Sequence, residues 1–183
     1  MNRLKVFDFV AIFCLSTCTV QAAEVSPYAG QETREIKALS EAEVAELLAG
    51  NGMGYAKVAE LNGYPGPAHV LELTDKLGLS AEQRAQTQLN FEQMETSARQ
   101  LGAELVAAER ALDELFRNHD VTQESLSQAL AEIGALDARL RESHLRAHLQ
   151  QTRILSAAQT DRYVQLRGYD AGDEHRGHKH GDP

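Results

Sequence analysis

Leu79-Ser80-Ala81-Glu82-Gln83 and Leu155-Ser156-Ala157-Ala158-Gln159 are the same short phrase used twice, and the stretch between them decides the fold. Each phrase reads as a helix start: the Ser hydroxyl can accept from the amide three residues on, while the Gln side chain reaches back to the Ser N–H. After the first phrase, Phe91, Met94, Ala98, Leu101, Leu105, Ala108, Leu112 and Leu115 recur at alternating intervals of three and four. That is a heptad seam, with Gly102 its one weak point. Asn118-His119-Asp120 ends this helix, with His119 structural at the bend, and Asp120 or Thr122 caps the next. The second helix carries Leu126, Ala129, Leu130, Ile133, Leu136, Leu140, Ala147, Ile154 and Leu155 on one stripe. Two seams joined by so short a connection predict an antiparallel pair, each arm about 55 Å long at 1.5 Å per residue.

Outward from this hairpin the elements shorten. Leu39-Ser40-Glu41-Ala42-Glu43-Val44 predicts a capped helix running to about Leu48. Gly50, Gly52 and Gly54 end it. No strand precedes these glycines and no Gly-Lys-Ser/Thr follows, so a corner between helices is favoured over a phosphate loop. Short helices are expected over Tyr55 to Leu61 and from Pro67 to Leu77, separated by Tyr64-Pro65-Gly66-Pro67 and closed by Gly78. Ser156 starts a last helix to about Leu166, which Gly168 ends.

The chain is 43% hydrophobic, 5% aromatic, without Trp, and carries a formal charge of −9. Low aromatic content with abundant Ala, Leu, Glu and Gln favours an all-α, elongated protein. An acidic chain without a basic stripe gives no reason to expect nucleic acid. Asn2-Arg3-Leu4-Lys5 followed by a mostly apolar run to Val20 reads as an export signal, cut after Ala22. Both cysteines, Cys14 and Cys18, fall inside it, so the mature chain has no thiol chemistry. A lipoprotein anchored at Cys18 is the lesser alternative to ordinary cleavage and release. The expected organisation is a signal peptide at 1–22, an arm with short helices at 23–66, a helical hairpin domain at 67–169 and a His-rich, disordered tail at 170–183.

The repeated Leu-Ser-x-x-Gln, the export signal and the hairpin together resemble the Spy/CpxP and heavy-metal-resistance (CnrX- and ZraP-like) group of bacterial periplasmic proteins. That group carries Leu-Thr-x-x-Gln twice; here Ser80 and Ser156 replace Thr and keep the capping hydroxyl. The similarity spans roughly Pro67 to Tyr169, and Ser80, Gln83, Ser156 and Gln159 are its motif residues. It implies a four-helix fold built on a long hairpin, often a dimeric cradle. It also implies one of three roles: binding a transition metal, damping envelope stress through a membrane-bound signalling partner, or holding unfolded client proteins without ATP. Metal-sensing members carry His-x-x-x-His before the first phrase. Here that segment has only His69, so the sensor's site does not carry over intact.

His144 and His148 lie one turn apart on the inner stripe of the second long helix, with Asp137 two turns earlier. Folding about Asp120 places them opposite Glu92, Met94 and Glu95. Imidazole, carboxylate and thioether suit Zn, Cu, Ni or Co. The competing reading is two histidines hydrogen-bonded to those glutamates or lining a dimer contact. His175, His178 and His180 in the tail form a second candidate trap, against a plain solvated tail. No enzyme constellation and no organic cofactor motif is present. A narrow two-helix seam buries little, which predicts a homodimer. The leading expectation is a periplasmic metal-binding protein, with an ATP-independent chaperone or stress adaptor as the alternative.

Overall fold

The computed structural model describes residues 25–169. The expected signal segment and Cys18 at one end, and His175, His178 and His180 at the other, lie outside the described residues. Residues 25–32 form a small unit of turns held by bonds such as Gln31 N–H to the Tyr28 carbonyl (3.0 Å). The second unit, from Thr33 onward, is all-helical among the described residues: α1 (Glu41–Ala49), α2 (Lys57–Glu60), α3 (Pro67–Glu72), α4 (Thr74–Leu77), α5 (Ala81–Arg117), α6 (Gln123–Ile154) and α7 (Ala157–Arg167). No helix among these residues is long and apolar enough to cross a membrane.

Helices α5 and α6 pack along their lengths as the expected hairpin. Their ends are set locally. Capping boxes form at Ser40/Glu43, Ser80/Gln83, Thr122/Ser125 and Ser156/Gln159, so Thr122, not Asp120, starts α6. His119 turns the chain at the bend with φ 58°, a left-handed conformation costly for a residue with a Cβ. The expected single helix from Pro67 to Leu77 is broken into α3 and α4 at Leu73 (φ −100°, ψ 14°). There the Thr74 hydroxyl bonds back to the Leu71 carbonyl at 2.6 Å, a local competitor to the helical ladder.

The apolar core joins Leu101, Leu105 and Val106 of α5 to Leu136 and Leu140 of α6, with Ile36 and Leu47 covering them. Gly102 is not a weak point but the crossing point of α1. A Cβ there would stand 2.1 Å from the Leu47 carbonyl oxygen. The segment before α1 is tied to the bend end of α5 by Glu35–Arg110 (3.1 Å) and by Lys37 N–H to Asp113 (3.0 Å).

Toward the open end the seam turns polar. Thr87, Asn90 and Gln151 are buried. Gln151 donates to Thr87 Oγ1 (2.9 Å), and Asn90 donates to the Ala147 carbonyl (3.0 Å) and to Gln151 (3.3 Å). The two repeated phrases meet at the very end. Gln83 and Gln159 each cap their own helix through Oε1, and each donates Nε2–H to the other's Oε1 (2.8 and 3.1 Å). The repeat is thus two caps joined by an amide pair. A second, smaller core of Val70, Leu77, Leu155 and Tyr163 lies beneath α7.

Candidate functional site

One turn beyond Leu140 the inner stripe of α6 reaches His144 and His148, both buried. They wall a cleft of about 360 Å³ whose other sides are the Gly50–Gly54 corner, α2, the start of α3 and α5 at Phe91, Met94 and Glu95. The expected meeting of the histidine pair with Met94 is therefore present. The glycine corner, read from sequence as a connector, is a wall of the same cleft.

Each imidazole is held differently. Tyr55 stacks on His144, with ring centroids 6.0 Å apart and planes 5° apart. The Tyr55 hydroxyl donates to Asp137 at 2.6 Å. Burial, and then the Asp137 hydrogen bond and charge, push the Tyr55 phenol well above its usual range, so it stays a donor. His144 Nε2 is out of solvent and has no hydrogen-bond partner. Burial, and then the neighbouring His148, lower the His144 pKa and favour the neutral ring that binds metals.

His148 Nδ1 lies 2.8 Å from the Tyr64 carbonyl oxygen. A carbonyl only accepts, so Nδ1 carries a proton, and in the neutral ring Nε2 keeps its lone pair. That lone-pair nitrogen borders the notch above Gly66: a Cβ on Gly66 would stand 3.1 Å from Nε2 and 2.9 Å from Cε1. A donor bond from the far nitrogen to a backbone carbonyl is the usual way a metal-binding histidine is oriented.

Two expected ligands sit elsewhere. Glu92 is exposed, does not line the cleft, and accepts from Gln88 (2.8 Å) one turn away on its own helix face. Asp137 is also outside the cleft and acts on it through Tyr55. Helical periodicity correctly put both on α5 and α6 but missed their rotation away from the cleft. Glu95, the next acid along α5, does line it and pairs with Arg99 at 3.0 Å.

Sequence reasoning missed Glu60, which also lines the cleft. Its Oε1 accepts from Tyr163 (2.6 Å), Tyr169 (3.0 Å) and Arg167 (3.2 Å). Its Oε2 is buried and has no hydrogen-bond partner. Burial, followed by Glu60 itself, pushes the Tyr163 phenol up. No local pattern marks Glu60, because its partners are about a hundred residues away in the chain. Among the described residues no three His, Cys, Asp or Glu side chains are already gathered as a metal cage. The residues nevertheless fit a soft or borderline metal, since two imidazoles and the Met94 thioether face one cleft and a buried imidazole nitrogen lacks a partner.

A helical hairpin with a histidine-walled cleft near its open end is the architecture so defined. The family model described as heavy-metal resistance matches residues 53–162, and the chain belongs to that family. The match begins at Met53, so it includes the cleft's α2 and Gly66 walls. Comparison with curated proteins and with solved structures finds no match.

Proposed function

We propose that this chain binds a transition metal ion, of the Zn, Cu, Ni or Co class, in the α5–α6 cleft and serves heavy-metal resistance by sequestering or sensing it. The observation that carries the reading is the preparation of the histidine pair. His148 presents its Nε2 at the notch above Gly66, and His144 is buried, short of a partner and shifted by that burial toward the neutral ring. His144, His148 and Met94 would hold the ion. Tyr55, held by Asp137, fixes one ring, and the Tyr64 carbonyl fixes the other. The ion would replace the missing partner of the buried nitrogen.

The leader-like first residues support delivery to the periplasm, where such an ion would be met. The narrow seam that two helices bury supports self-association as a homodimer. Calorimetric titration with Zn, Cu and Ni tests the metal reading. One ion per chain should bind to the hairpin site, and His144→Ala/His148→Ala should abolish that binding. Affinity weaker than about 100 μM for all three, or binding unchanged in the double variant, would reject the site.

A further inference from the structure

We propose that Glu60 supplies the carboxylate ligand of the cleft, and that its second oxygen makes the C-terminal end of α7 responsive to the bound ion. The inference rests on the metal reading above and adds a ligand and an output to it.

The carboxylate is divided. Oε1 is fully engaged, with Tyr163, Arg167 and Tyr169 all converging on it from α7 and the residues just after it. Oε2 is out of solvent and has no hydrogen-bond partner. A buried carboxylate oxygen without a donor is costly, and a cation is a group that would satisfy it. Neither neighbouring imidazole answers it, and His69 Nδ1 approaches Oε1 instead, at 3.5 Å. His148 Nδ1 is 3.8 Å from Oε2, beyond hydrogen-bond reach, and gives its proton to Tyr64 instead.

Glu60 and His148 both border the position that a Gly66 Cβ would take. The point where a Gly66 Cβ would sit is 3.5 Å from Glu60 Oε2 and 3.1 Å from His148 Nε2. A free lone pair and an unpartnered carboxylate oxygen therefore flank the same small space, on a residue with no side chain to fill it. A divalent ion held by both would draw His148 Nε2 and Glu60 Oε2 inward onto it, since such bonds are about 2.0–2.2 Å long.

The coupling follows from the chemistry of the carboxylate. An ion on Oε2 withdraws charge from Oε1 and weakens its three hydrogen bonds, all of which hold the end of α7. Linkage is reciprocal: weakening the grip of α7 on Oε1 must strengthen the ion.

The test uses Co(II) alone as probe, with affinity read by calorimetry and visible absorption, and amide hydrogen exchange followed over residues 163–169. Co(II) should raise exchange in that segment at least about twofold in the wild type. Glu60→Gln should weaken Co(II) by about tenfold or more and erase the exchange response. Tyr169→Phe, which removes one donor from Oε1 and leaves the cleft intact, should tighten Co(II) about threefold. Wild-type affinity in Glu60→Gln, or exchange at 163–169 unmoved at Co(II) saturation, overturns the proposal. If Glu60→Gln does not fold, unchanged affinity in Tyr169→Phe overturns it instead. Loss of binding in His144→Ala/His148→Ala with full binding in Glu60→Gln would leave the histidine site standing without Glu60. The opposite pattern would keep Glu60 and remove the histidines, and no Co(II) binding to the wild type would remove both.

Discussion

The hairpin has two unlike halves built on one seam. In the half nearer the bend, Leu101, Leu105, Leu136 and Leu140 meet as a plain apolar core, and α1 lies across it at Gly102. In the half nearer the open end, the same inward positions hold His144, His148, Gln151, Asn90 and Thr87. Apolar groups accept any apolar neighbour, so the first half is stabilised by area removed from water. Each polar group in the second half needs one particular partner, so that half is specific but contributes less to stability. A binding site belongs where partners are particular, and the cleft lies there.

The largest effect should come from the apolar half. Leu105→Ala empties a position that is 5% exposed and should cost about 3–4 kcal/mol in urea unfolding. Metal affinity measured on the folded variant should stay within about twofold. A large affinity loss there would break the distinction between the halves.

Gly102→Ala comes next. Its Cβ would collide with the Leu47 backbone, so the variant should lose about 2 kcal/mol despite alanine's better helix propensity. The same unfolding measurement made on Gly134→Ala is the internal control. Gly134 also lies within a long helix, but nothing is within 4 Å of the position a Cβ would take. That variant should gain about 1 kcal/mol, with the opposite sign.

Gly66→Ala probes the polar half with a methyl group. The Gly66 backbone (φ −84°, ψ 139°) suits any residue, but a Cβ there would stand 2.9 Å from His148 Cε1, so the imidazole must shift to admit it. The methyl would occupy the space before His148 Nε2, and metal affinity in calorimetry should fall about tenfold. Unaltered affinity would place the ion away from this notch.

The smallest effect is the response to pH. The folded His144 pKa lies below its ordinary value of about 6.5. The unfolded chain therefore binds more protons as pH falls through that value. The stabilisation is fully present above it and is lost as pH drops toward the folded pKa. Urea midpoints should decline between pH 7.5 and 5.5, and His144→Gln should flatten the decline.

Features governed by near neighbours in the chain were legible in the sequence. Ser40, Ser80 and Ser156 cap as their spacing to Glu43, Gln83 and Gln159 requires, and the heptad seam pairs α5 with α6. The approach of His144 and His148 to Met94 was legible too, from helix rise and the position of the bend. Thr87 lies four residues before Phe91 on the extended seam, and a stricter reading of the period would have buried it. What periodicity cannot supply is rotation and reach. It did not distinguish Glu92, turned to solvent, from Glu95, facing the cleft. It had no means to find Glu60, whose partners Tyr163, Arg167 and Tyr169 arrive through the tertiary fold. Gly66 and Gly102 read as a turn and a flaw, yet both are places where the lack of a side chain leaves room for another group.

The amide pair between Gln83 and Gln159 has a consequence for chain length. Because each amide also caps its own helix, the start of α5 and the start of α7 must arrive at the same height. The pair therefore acts as a gauge on the two arms. One residue inserted into α5 alone rotates its later side chains by about 100° and raises them by about 1.5 Å, and the gauge no longer closes. Seven residues added to each arm together nearly restore both rotation and height. Lengthening or shortening of this hairpin is then confined to matched heptads on both sides of the bend, with the cleft keeping its place beside the gauge.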